Sequence, residues 1–164
     1  PYAVTNLTVS NINTSSVSLT WNEPPGNRSY FTVNWTGGSV NNSSNTSNTS
    51  YTVTGLTAGV NYTFNVTAVA ADGTAGAPTQ TSAFTKPNAV TNLTVSNKTT
   101  SSVSLTWNEP PGNRSYFTVN WTGGSVNNSS NTSNTSYTVT GLTAGVNYTF
   151  TVTAVAADGQ TAGA

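Results

Sequence analysis

The chain of 164 residues contains no histidine, no cysteine and no methionine. Ser and Thr hydroxyls abound, but a hydroxyl becomes a nucleophile only when a neighbouring base takes its proton. The only acidic side chains are Glu23, Asp72, Glu109 and Asp158. Glu23 and Asp72 fall in different expected loops, and no third carboxylate lies near them to cage a hard cation. Thiolate and imidazole metal sites are excluded by composition. The sequence therefore predicts no catalytic residue, no metal ligand and no cofactor, covalent N-glycans apart.

Asparagine is the residue whose spacing does point to chemistry. An N-x-Ser/Thr triplet accepts an N-linked glycan in a secreted protein, and nineteen such triplets occur here. The expected glycosylation sites in the first half are Asn6, Asn13, Asn27, Asn34, Asn42, Asn45, Asn48, Asn61 and Asn65. In the second half they are Asn92, Asn97, Asn113, Asn120, Asn128, Asn131, Asn134 and Asn147. Asn41 and Asn127 also open triplets, directly beside Asn42 and Asn128. Such crowding leaves some sites empty, above all in Asn41–Ser50. That stretch is polar and of low complexity, and it reads as a flexible loop open to O-linked sugar as well.

Charge supports the same reading. Charged residues make up 5% of the chain, and the net charge is zero. An average soluble protein carries roughly 25%. A surface so poor in charge needs another source of hydration, and sugar supplies one. There is no basic stripe for phosphates, so nucleic acid is not an expected partner. No apolar run approaches the length of a membrane-spanning helix, and no signal peptide opens the chain. The expectation is an extracellular segment, without membrane contact of its own, cut from a longer processed protein.

The elements that carry these asparagines repeat. Residues 3–72 return as 89–158 with three differences: Ile12/Lys98, Asn13/Thr99 and Asn65/Thr151. The second copy has no counterpart of Pro78–Thr85, so its last strand is expected to be missing. Within a copy the apolar residues alternate with polar ones at the period of a half-buried strand. The alternating sets are Leu7 and Val9; Val17, Leu19 and Trp21; Phe31, Val33 and Trp35; Tyr51 and Val53; then Tyr62, Phe64, Val66 and Ala68. A weaker strand covers about Thr79–Thr85. Turn signals at Pro24-Pro25-Gly26-Asn27, Gly37-Gly38, Thr57-Ala58-Gly59 and Ala71-Asp72-Gly73 separate the runs. One apolar face per strand requires two sheets packed face to face. The aromatics Trp21, Trp35, Tyr62 and Phe64 then belong to the core, and Asn34, Asn61 and Asn65 face solvent. Asp72-Gly73 reads as a hairpin turn, and Pro24–Ser29 as the exposed loop with a charge.

These residues resemble a fibronectin type III domain. The matching features are Trp21 before a Pro-rich bend, the Phe31, Val33, Trp35 strand, and Leu56-Thr57-Ala58-Gly59-Val60-Asn61-Tyr62. In that family the last stretch forms a tyrosine corner. Ala58 stands where the family usually has Pro, which would loosen the bend. The resemblance implies an all-β chain of two immunoglobulin-like, seven-stranded antiparallel sandwiches. They span residues 1–86 and 87–164, the second C-terminally incomplete. Ser16–Trp21, Gly26–Trp35 and Tyr62–Gly73 further resemble the extracellular repeats of receptor-type tyrosine phosphatases. That likeness implies a catalytic domain elsewhere and no phosphatase activity in these residues.

The function expected is a non-catalytic, heavily glycosylated extracellular spacer or adhesion segment of a cell-surface receptor. The alternative is a glycosylated fibre built head to tail, with a neighbour's strand filling the open edge. Expected partners are neighbouring repeats of the same array, an extracellular protein ligand contacting Pro25–Ser29, or further copies of the chain. The short linker Thr85-Lys86-Pro87-Asn88 should limit flexing between domains.

Overall fold

The computed structural model describes residues 1–164. They divide into two units, Pro1–Thr85 and Lys86–Ala164. Unit 1 contains β1 (Thr5–Ile12), β2 (Val17–Asn22), β3 (Tyr30–Gly37), β4 (Val40–Thr46), β5 (Ser50–Val53), β6 (Asn61–Val69) and β7 (Thr79–Phe84). One sheet has the order β1-β2-β5, the other β4-β3-β6-β7, and every pairing is antiparallel. Unit 2 contains β8 (Thr91–Lys98), β9 (Val103–Asn108), β10 (Tyr116–Gly123), β11 (Val126–Thr132), β12 (Ser136–Val139) and β13 (Thr149–Val155). Its sheets are β12-β9-β8 and β11-β10-β13, with no counterpart of β7.

The alternation read from the sequence defines the core of unit 1. Val17, Leu19, Trp21, Phe31, Val33, Trp35, Val53, Tyr62, Phe64, Val66 and Ala68 are all buried in one cluster. Period-two strands leave them no other arrangement, because each side chain must meet the facing sheet or water. Phe31 meets Trp21 edge to face, with ring centroids 5.4 Å apart. Such a pair adds roughly 0.5–1.5 kcal/mol beyond the area it buries. Trp107 and Phe117 repeat the arrangement in unit 2.

Two expectations need correction. Asn41–Ser50 is not a flexible loop: β4 runs from Val40 to Thr46 in unbroken register with β3, from Gly37↔Val40 to Phe31↔Thr46. An edge strand needs backbone partners on one side only, so polar side chains do not disqualify it. Val40 packs on the core, and Thr32 Oγ1 donates to Asn45 Oδ1 at 3.1 Å. The second correction concerns Leu93 and Val95, whose alternation predicted core positions. They are 39% and 49% exposed, whereas Leu7 and Val9 in unit 1 are half-buried against the core. In unit 1, β7 packs beside β1 and contributes Ala83 to that core. Unit 2 has no strand there, so the apolar side of β8 meets water.

The turn at residues 56–62 forms a tyrosine corner with Ala58 in it. Tyr62 Oη accepts a hydrogen bond from the Thr57 N–H at 2.9 Å, and Leu56, Ala58 and Val60 are buried. Gly59 adopts φ +71, a left-handed conformation that a side chain would strain.

Candidate functional site

Each carboxylate already has a local partner. Arg28 donates to both oxygens of Glu23, from Nε at 3.0 Å and Nη2 at 2.7 Å. That bidentate bond holds the Glu23 carboxyl below its ordinary range. The guanidinium also lies over the Phe31 ring, 4.5 Å from its centroid. The cation of the exposed loop is thus tied to the sandwich on two sides. Pro24 in the same loop is buried. A depression of about 250 Å³, lined by Asn27, Arg28, Ser29, Ala70 and Ala71, remains beside it.

Asp72 behaves as a turn residue. Its Oδ1 accepts the Thr74 N–H at 2.9 Å, a bond that lowers its pKa, and Gly73 follows at φ +90. In unit 2, Asp158 accepts from the Gln160 and Thr161 backbone and from the Thr161 hydroxyl. Glu109 is held by Arg114 as Glu23 is by Arg28. The four carboxylates therefore stand apart, each bonded within its own loop. Acid–base work on a substrate would first have to break those bonds.

The triplet asparagines lie on the outside. Asn6, Asn13, Asn27, Asn34, Asn41, Asn42, Asn45, Asn48 and Asn61 are exposed, and so are all nine of unit 2; Asn65 alone is half-buried. The placement follows from strand alternation for Asn34 and Asn61. For Asn6 it follows from an irregularity in the pairing of β1 with β2. There Asn6 takes φ +55, which asparagine tolerates better than most residues, and Thr8 Oγ1 donates to the Asn6 carbonyl at 3.0 Å. Asn92 repeats that conformation. The expected sites thus spread over both sheets and the connecting loops instead of forming one cluster.

Sequence reasoning missed Thr85. Alternation places it only at the junction of the last strand and the linker, yet it is the one fully buried polar residue. Its hydroxyl donates to the Thr57 carbonyl at 2.6 Å and accepts from the Val60 N–H at 3.2 Å. No local pattern distinguishes this Thr from the many exposed ones.

Taken together, two antiparallel sandwiches with apolar interiors, tyrosine corners and polar exteriors define an immunoglobulin-like module. The chain belongs to the fibronectin type III family, whose domain description matches residues 2–85 and again 88–163. It is 42% identical over 156 residues to receptor-type tyrosine-protein phosphatase eta of Gallus gallus, covering 91% of this chain and 11% of that protein. It is 39% identical to receptor-type tyrosine-protein phosphatase H of Homo sapiens, covering 90% and 14%. Chitinase A1 of Niallia circulans is 34% identical, covering 93% and 23%. The chain thus spans less than a quarter of each of these curated relatives. The matches to the phosphatases cover fibronectin type III repeats and no catalytic domain. Among solved structures, a two-domain fibronectin type III segment of chicken tenascin shares the fold. Its TM-score is 0.69 at 22% identity, and the match covers 98% of this chain and 94% of that one.

Proposed function

We propose that this chain is a non-catalytic, N-glycosylated extracellular segment that spaces and shields the other parts of a cell-surface receptor. One observation carries the reading. Nearly every asparagine of a dense set of N-x-Ser/Thr triplets faces solvent, while the chain has almost no charge to hydrate that surface. Kinship with receptor-type phosphatases supports the cell-surface setting. The bonded carboxylates support a passive role. A carbohydrate-binding platform, which the chitinase relative would suggest, needs exposed aromatics, and Trp21, Trp35, Tyr62 and Phe64 are buried. Partners under this reading are adjoining repeats and an extracellular protein ligand. The test is intact mass of the protein from its natural source before and after enzymatic deglycosylation. Loss of several glycan masses is expected, and an unmodified chain overturns the reading.

A further inference from the structure

The register of β3 on β6 sets Asn34 directly opposite Asn65 on the outer face of the four-stranded sheet. Both open triplets, Asn34-Trp35-Thr36 and Asn65-Val66-Thr67, although 31 positions separate them in the sequence. The row continues to Ser43 on β4 and Gln80 on β7. Asn34 has the small Ser43 on its other side and is exposed, whereas Asn65 lies between Asn34 and Gln80 and is half-buried. Directly opposed residues hold their Cβ atoms about 4.5–5.5 Å apart. An N-linked glycan is bulky, so two of them rooted on this pair would claim the same space above the sheet.

We propose that the Asn34/Asn65 pair accepts a single N-glycan, carried by Asn34, and that Asn65 stays unmodified in the folded protein. The inference rests on the reading above that the chain is N-glycosylated. The chemistry is transfer from a lipid-linked oligosaccharide diphosphate. Nδ2 of Asn34 bonds to the anomeric carbon and loses one proton. The bond from that carbon to the phosphate oxygen breaks, and the lipid diphosphate leaves. Modification can precede folding, when the two triplets are far apart. A chain modified at both positions must then crowd two glycans together to pair β3 with β6, and it folds poorly. Unit 2 lacks the conflict, because Asn120 occupies the position of Asn34 and faces Thr151. That substitution is one of three between the repeats.

The test is site-resolved mass spectrometry of the full chain secreted from eukaryotic cells. Enzymatic deglycosylation in heavy-oxygen water marks each formerly glycosylated asparagine as labelled aspartate. The expected result is label at Asn120 and Asn34 and none at Asn65. N65Q should leave Asn34 labelled as before, and N34Q should move the label to Asn65. Occupancies of Asn34 and Asn65 that sum above one per molecule overturn the proposal. So does preferential labelling of Asn65, or an Asn65 that stays bare in N34Q, or a bare pair beside a labelled Asn120. In each of these cases label at Asn120 leaves the wider glycoprotein reading standing. A chain bare at these three positions overturns the proposal, and only one bare at every triplet overturns the wider reading as well.

Discussion

Replacing Thr85 with Val exchanges a hydroxyl for a methyl at nearly constant shape, so packing is held while two hydrogen bonds are lost. Thr85 is 0% exposed. Its hydroxyl bonds to the Thr57 carbonyl at 2.6 Å and to the Val60 N–H at 3.2 Å. The Thr85 N–H still reaches the Val60 carbonyl at 3.1 Å, so β7 keeps its end anchored. In T85V the Val60 N–H is left buried without a partner. Orphaning a buried group costs about 1–3 kcal/mol, and we take about 2 kcal/mol for unit 1. A domain of this size shifts its midpoint by roughly 4–8 °C per kcal/mol, so unit 1 should melt about 8–16 °C lower. Scanning calorimetry reads the shift, and hydrogen exchange at the Val60 amide gives the local readout, where protection should fall first. T85S keeps the hydroxyl and should fall well short of that loss. Unit 2 serves as internal control. A T85V midpoint within about 2 °C of the parent chain, or an equal fall in both units, would refute the assignment of Thr85 as a buried polar clamp.

Further outcomes follow from the same geometry. Tyr62→Phe should cost unit 1 about 1 kcal/mol by freeing the Thr57 N–H. Tyr148→Phe should cost unit 2 less, because the same 2.9 Å bond there is exposed to water; urea denaturation of each variant compares them. Gly37→Ala should destabilise unit 1 by about 1–3 kcal/mol. The added Cβ would meet the Tyr62 ring and lie 2.6 Å from the Asn61 carbonyl, so a fall in the urea midpoint of unit 1 is the check. The Arg28 hydrogen bond holds the folded Glu23 pKa below its unfolded value. Its contribution is therefore complete above the unfolded carboxylate value and is lost as pH falls through the folded one. Glu23 is largely exposed, so the effect is at most about 0.5–1 kcal/mol. Melting temperatures of the parent chain and Glu23→Gln, measured from neutral to acidic pH, should converge at the acid end.

Much of the molecule was legible because alternation is a local signal. Val17, Leu19 and Trp21 on β2, and Phe31, Val33 and Trp35 on β3, could be assigned to the core from spacing alone. An extended backbone turns successive side chains to opposite faces. The same rule put Asn34 and Asn61 outside, and the N-x-Ser/Thr chemistry is written in three adjacent residues. The near-identity of the two repeats also sufficed to show that one fold is used twice.

What remained was decided between segments distant in the chain. β4 forms because β3 offers it backbone partners, although Asn41–Thr46 lacks apolar alternation and has Thr46 as its single β-branched residue. Thr85 is buried because β7 carries it under the Thr57–Val60 bend. Leu93 and Val95 are as apolar as Leu7 and Val9, yet they lie open because no strand stands beside them. Asn34 meets Asn65 only through the β3–β6 register. Composition and period determine which face of a strand is apolar; which strands become neighbours, and in what register, is set by the packing of the whole sandwich.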